Sequence, residues 1–201
     1  MKKILLSLVA LVSFGLANAQ IKEKGTFEIT PKIGSSSFSE NNEGESTDSN
    51  AGVQISVTGD YYFNNRWSLR SGFVIDKMGG KYYSGFDKYE DKLNYLSIPI
   101  NANWHFGSTR KWNLNFGLSP SFLTNATTKY NGISQKIPST DIESFQLGFT
   151  YGIGYKIEIT KQFGLLIDAQ FFDGLTNINN ASDARITNSG YSFNLGGVIQ
   201  L

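Results

Sequence analysis

Hydrophobic and polar residues alternate with a period of two along most of this chain. In the segment 51–63, Ala51, Val53, Ile55, Val57, Tyr61 and Phe63 share one face, against Gln54, Ser56, Thr58 and Asp60 on the other. In 145–157, Phe145, Leu147, Phe149, Tyr151, Ile153, Tyr155 and Ile157 oppose Gln146, Gly148, Thr150, Gly152, Gly154 and Lys156. The end of the chain sets Tyr191, Phe193, Leu195, Ile199 and Leu201 against Ser192, Asn194 and Gln200. Weaker alternation marks 25–34, 67–77, 93–106, 112–124 and 163–173. Period two is the signature of strands. The pattern predicts eight of them, several as long as the roughly 9–11 residues that cross a bilayer at a tilt.

The connections sort by length. Short turns fall at 64–66, 107–111 and 160–162, and long polar segments at 35–50, 78–92, 125–143 and 174–188. A soluble meander has no reason to collect its long loops at one end. An outer-membrane barrel does, with short periplasmic turns and long extracellular loops. The expectation is an all-β, eight-stranded antiparallel up-and-down transmembrane barrel, with both termini periplasmic.

Alternation alone leaves open a soluble, lipocalin-like barrel with its apolar face inside. The polar face argues against it. That face is built from Gly52, Gly72, Asn113, Asn115, Gly117, Ser119, Gly148, Gly152, Gly164 and Gly196, not from long solvated side chains. Small polar residues suit a lumen that eight strands leave barely wide enough for side chains. Charges of both signs share its parity: Glu28, Lys32, Asp60, Arg70, Asp76, Lys156, Glu158 and Asp168. Within a narrow barrel these are expected to pair as a structural charge network, since a buried ion left alone is costly. On the other parity Trp67, Trp104 and Trp112 flank short turns, joined by Tyr61, Phe63, Phe106 and Phe163. They form the expected periplasmic aromatic girdle. Pro31, Pro99 and Pro120 fall inside strands, where each removes a ladder N–H and predicts a bulge or a defect.

The first residues carry a different signal. Lys2-Lys3, an apolar run from Ile4 to Leu16 and then Ala17-Asn18-Ala19 have the layout of a cleavable signal peptide. The run falls short of the roughly 20 apolar residues of a spanning helix. The expected organisation is a signal peptide over 1–19 and one barrel domain over 20–201. The chain has no cysteine, which closes lipid attachment at the new N-terminus and excludes disulfides. The net charge of +1 comes from interspersed acids and bases, so no basic field for nucleic acid exists. Aromatic residues at 14% and 21 glycines, against 17% charge, favour strands over helices.

Around the fourth strand Tyr95-Leu96-Ser97-Ile98-Pro99-Ile100 begins a resemblance to a known group. It continues through Gly117-Leu118-Ser119-Pro120 with Leu123, through Gly152-Ile153-Gly154-Tyr155, and through Gly174-Leu175-Thr176-Asn177-Ile178. In order and spacing these resemble the PorT-like outer-membrane β-barrel proteins of the Bacteroidetes, often called porin family proteins. The resemblance covers most of the mature chain. It implies an eight-stranded barrel exported to the outer membrane, tolerance of a strand proline at Pro99, and recognition by the barrel-assembly machinery through the C-terminal strand. Leu201 stands where an aromatic residue is commoner. The resemblance supplies no catalytic or ligand residues.

Enzymatic chemistry finds little support. The one histidine, His105, lies beside a short turn, away from the outer leaflet where lipid-modifying barrels work, and no serine has an evident claim to it. One histidine cannot build a zinc site. Glu40, Glu43, Glu45 and Asp48 lack the spacing of a calcium loop. Gly152 and Gly154 lack the third glycine of a dinucleotide fingerprint. The sequons Asn125-Ala126-Thr127 and Asn180-Ala181-Ser182 are of the kind that arise by chance. No catalytic, cofactor or metal residue is expected, and no cofactor. The expectation is a non-enzymatic protein of the outer membrane, its lumen plugged, with outer-membrane lipids as partners and a structural or surface-binding role. Tyr82, Tyr83 and Tyr89 are the candidate extracellular contacts. The alternatives are a small-solute channel or transport accessory and, behind it, an outer-leaflet lipid-modifying enzyme.

Overall fold

Wherever the sequence alternates, the backbone pairs. The computed structural model describes residues 22–42 and 45–201. The segments are β1 (Phe27–Asn42), β2 (Glu45–Ser46), β3 (Asp48–Tyr62), β4 (Trp67–Met78), β5 (Gly80–Ser84) and β6 (Asp87–Ser97). They continue as β7 (Ile100–Phe106), β8 (Trp112–Tyr130), β9 (Ile133–Lys136), β10 (Phe145–Glu158), β11 (Phe163–Gly174) and β12 (Ile186–Gln200). All belong to one antiparallel sheet, and its ends meet: β12 pairs β1 from Glu28↔Gln200 to Asn42↔Ile186. The expected signal peptide and Glu43 lie outside the described residues.

The expectation of eight strands is corrected: among the described residues the sheet has twelve, of which β2 lies off the main path and pairs only β1. Two breaks have identifiable causes. Pro99 has no N–H to give, so β6 ends at Ser97 and β7 resumes at Ile100. The two lie end to end between β4 and β8. Gly79 separates β4 from β5 at φ 102°, a conformation that L side chains rarely adopt. A Cβ there would collide with the carbonyl oxygen of Asp91. The remaining short strands are hairpin partners at the long-loop end, β5 against β6 and β9 against β8.

The long polar segments also need correction, because much of 35–50, 78–92 and 125–143, and the end of 174–188, is strand. β1 runs to Asn42, β6 starts at Asp87, β8 runs to Tyr130 and β12 starts at Ile186. Beyond the apolar belt both faces of a strand are polar, so the alternation vanishes while the backbone ladder continues. The other prolines are absorbed. Pro31 sits opposite Val57, and the β1–β12 register passes from Ile29↔Ile199 to Lys32↔Gly196 across it. Pro120 sits opposite Leu147 within β8.

The two faces differ as their parity requires. Ile33, Val53, Ile55, Phe73, Ile100, Ile167, Phe193 and Leu195 are each more than half exposed, while Gln54, Ser56, Thr58, Asp60, Asn113, Asn115 and Asn194 are buried. A soluble monomer rarely exposes an apolar patch beyond a few hundred Å². Here the belt encircles the molecule. Short turns close one end: Asn64 Oδ1 accepts from the N–H groups of Arg66 (2.8 Å) and Trp67 (3.1 Å), and Thr160 Oγ1 from that of Phe163 (3.0 Å).

Gly148 marks a close approach inside the ring, because a Cβ there would strike the Phe172 ring. Gly148→Leu should therefore overpack the interior at a cost of about 1–3 kcal/mol. The urea midpoint of barrel refolded in non-ionic detergent measures this, and an unchanged midpoint would show that the inside has room to spare.

Candidate functional site

The inward residues near the short-turn end are ions, and most are paired. On β1 Glu28 and Lys32 lie four apart, so both point inward. Lys32 Nζ meets Asp168 of β11 at 3.0 Å. Arg70 of β4 bonds Asp60 of β3 at 3.1 Å and stands 3.9 Å from Asp168. Lys156 of β10 bonds Glu28, which also takes Lys22 at 3.2 Å. Six of the eight expected network residues are thus joined, three carboxylates with three cations. Asp76 and Glu158 have no ion pair among the described residues. Asp76 accepts instead from the Gln54 amide, and Glu158 lies near the short-turn rim with Lys22 and Lys161.

Neutral groups complete this level, and the sequence reading missed them. Tyr62 donates to Glu28 (2.9 Å) and receives from Lys156 (2.9 Å). Asn103 donates to Asp60 at 2.8 Å. Both share parity with charged or polar inward neighbours, and that was the available signal. His105 stacks on Tyr62 with centroids 4.7 Å apart.

The expectation that no serine approaches His105 is corrected: Ser68 Oγ lies 2.9 Å from His105 Nε2. The hydrogen-bond order of the pair differs from that of a nucleophile and its base. Ser68 gives its hydrogen to Asp60 Oδ1 at 2.9 Å, so the hydrogen of the Ser68–His105 bond belongs to Nε2. Asp60 therefore orients the hydroxyl and not the imidazole, unlike a catalytic triad. Ser68 and His105 are both sealed from solvent. Among the described residues no three His, Cys, Asp or Glu side chains are placed to hold a metal.

A second level blocks the lumen toward the long loops, and it adds an apolar layer to an interior expected to be largely small and polar. Phe38, Met78, Leu93, Tyr95, Ala126, Ile142, Phe172 and Ile178 form an apolar cluster. Phe38 and Phe172 meet edge to face at 6.1 Å. Ile142 and Ile178 come from connections that fold inward. Ile142 bridges Asn179, and Glu143 N donates to Ile178 O at 2.8 Å. Between the two levels lies a cavity of only ≈ 50 Å³, bounded by Lys32 and Arg70 on one side and Phe38, Met78 and Phe172 on the other.

On the far side of the apolar cluster a larger cavity, ≈ 370 Å³, opens among the long loops. Glu40 and Asp91 line it, with Tyr82 and Tyr89 stacked 5.0 Å apart and 5° from parallel. Tyr89 also contacts Tyr130 at 5.2 Å, whereas Tyr83 is 62% exposed and does not line the cavity. Glu40 lies beyond the apolar belt, which on β12 ends at Tyr191, the partner of Ser37. Burial and the neighbouring Asp91 push its carboxyl up to about 8. At the opposite rim Trp67 stacks with Trp104 (6.3 Å), Trp104 with Phe106 (5.0 Å) and Phe106 with Trp112 (6.2 Å). Tyr61 packs on Phe63 at 5.6 Å, and Phe163 is 41% exposed on the same outward face.

With this geometry in hand, the chain is similar to known proteins in two ways. The profile of the family described as outer membrane protein beta-barrel domain matches residues 18–180. Among solved structures, Ail, the attachment invasion locus protein of Yersinia pestis, crystallised with the heparin analogue sucrose octasulfate, is 15% identical. That likeness covers 86% of this chain and 99% of Ail, with a TM-score of 0.52. Neisserial surface protein A is 13% identical over 87% of this chain and 97% of its own, TM-score 0.53. OprG from Pseudomonas aeruginosa is 11% identical over 89% and 97%, TM-score 0.54. No curated protein sequence matches.

Arg70 neutralises two buried carboxylates, so Arg70→Met should cost about 3–5 kcal/mol, read as a lowered urea midpoint; a loss below about 1 kcal/mol would mean that the network is loosely held. For Glu40 the sign follows from its raised value. The folded state holds this proton up to about pH 8, while an unfolded carboxyl releases it near its ordinary 4.5. Stability should therefore fall as pH rises from about 4.5 to about 8. Asp91 and the phenols of Tyr82 and Tyr95 face Glu40 across the mouth. Glu40→Gln should flatten that slope in urea titrations, and an unaltered slope would assign it to another group.

Proposed function

The chain belongs to the outer membrane protein β-barrel family, and from that premise we propose that it is a closed barrel that acts at its long-loop end instead of passing solute. Membership places it in the outer membrane. The observation that carries the proposal is the double blockage of the lumen, a paired ionic level and an apolar level separated by ≈ 50 Å³. A cavity of that size holds a few water molecules at most.

Several finer points go with this reading. The short turns and the stacked aromatic ring favour a periplasmic short-turn end, which leaves both termini periplasmic and the long loops outside. The motifs around Pro99, Pro120 and Gly152 favour the PorT-like subtype of the Bacteroidetes. The layout of Lys2 to Ala19 supports export through a signal peptide cleaved after Ala19. The partners implied are outer-membrane lipids around the belt and the barrel-assembly machinery during biogenesis. The hydrogen-bond order Asp60–Ser68–His105 supports a structural role for the histidine and a protein without catalysis.

Planar-bilayer recording of the purified barrel tests the proposal. No stable single-channel steps are expected; reproducible steps would replace it with the small-solute channel reading. Facing is tested separately. Phe149 lies outward on β10, and Phe149→Arg should cost about 2–4 kcal/mol if it meets lipid near mid-bilayer. A harmless Phe149→Arg, measured by folding titration into vesicles, would mean that this face never meets hydrocarbon.

A further inference from the structure

The ≈ 370 Å³ cavity among the long loops is within the range of small-molecule sites, about 300–1,000 Å³. Its chemistry is lopsided. Three carboxylates, Glu40, Asp91 and Asp141, line it against one ammonium, Lys136, which is itself solvent-exposed. Glu40 is only 6% exposed, yet its carboxylate has no ion pair or hydrogen bond among the described residues. The nearest charge that acts on it is another carboxylate, Asp91. Asp91 is half-buried beside it, with no ion pair among the described residues and only the Thr128 hydroxyl to offset its charge. Buried carboxylates are ordinarily paired, because an unpaired one is costly. Glu40 meets that cost by keeping its proton up to about pH 8, and a cationic partner entering the cavity would displace that proton.

The rest of the wall describes that partner. Tyr82 and Tyr89, stacked in parallel, line the cavity with π-rich rings suited to a cation. Leu93, Ile137, Ile142, Ile178 and Ile186 supply apolar surface. A hard metal ion is a poor fit, since calcium takes six to eight oxygen ligands and no three acidic or imidazole groups converge among the described residues. We propose that this cavity binds an organic cation, its ammonium group held between Glu40 and Asp91 and its apolar body against the isoleucines. The inference rests on the surface-binding reading above and names its ligand class.

The test uses the full barrel refolded in dodecyl maltoside and three probes of one shape: 4-phenylbutylammonium, 4-phenylbutanol and 4-phenylbutanoate. Calorimetry should show one saturable site that prefers the ammonium to the alcohol by about tenfold or more, the scale of a charge-assisted hydrogen bond, and takes the carboxylate least. Glu40→Gln and Asp91→Asn should each erase most of that preference, bringing the ammonium close to the alcohol. A heat-modifiability gel verifies that both variants fold. Equal affinity for the three probes, no saturable binding of any, or an unaltered preference in folded Glu40→Gln overturns the cation site. If that happens while the barrel stays silent in planar bilayers, the closed-barrel reading survives alone. Channel steps instead would bring down the closed-barrel reading, whatever the probes do.

Discussion

A peptide group in hydrocarbon has no water to turn to, so every N–H and C=O that faces lipid must find its partner in the sheet. The β1–β12 pairing meets that demand, because it leaves the sheet without a lateral edge. Other features follow from closure. The ring defines an inside too narrow to hydrate freely, and period-two alternation assigns every side chain to lipid or to that inside. The prolines are the exceptions that measure the constraint. Pro99 divides a strand in two, yet Ile98 N still reaches Pro120 O at 2.9 Å across the break.

The interior meets its own constraint in two ways. Near the short turns ions are neutralised pairwise, with Tyr62, Ser68 and Asn103 taking the leftover lone pairs. Toward the long loops the same narrow space is filled by Phe38, Phe172 and their apolar neighbours. An ionic level fixes which strands lie opposite one another, since Lys32 and Asp168, or Arg70 and Asp60, meet only in one register. An apolar level fills volume with less demand on geometry. The mouth above them follows neither rule, and its carboxylates are left facing open space.

The lipid-facing positions were legible because hydrocarbon imposes a strict pattern: Val53, Ile55 and Val57 announce themselves. So did the inward ions, through parity alone. Which ion meets which was not legible, because pairings such as Glu28 with Lys156 join residues 128 apart in sequence. The strand count failed where the pattern is blind. Beyond the belt, β1 past Phe38 and β8 past Leu123 continue as polar ladders that look like loops. The apolar inner level was missed because Phe38, Leu93 and Phe172 sit at inward parity, where polar residues were expected. The mouth cavity was beyond reach, since Glu40 stood among loop acids that lacked calcium spacing and Asp91 lay in another polar segment, 78–92, with nothing to link the two.

The seam between β1 and β12 joins the first described strand to the last. Neighbouring hairpins alone cannot seal the ring, because the closing residues, Ile186 to Gln200, pair with Glu28 to Asn42 at the other end of the strand order. The barrel is therefore closed by contacts of large sequence separation, and such contacts form slowly. Until that joint is made, the β1 edge and the oily belt are bare together. Loss of β12 would strip β1 and β11 of their partner and leave an open sheet instead of a smaller barrel.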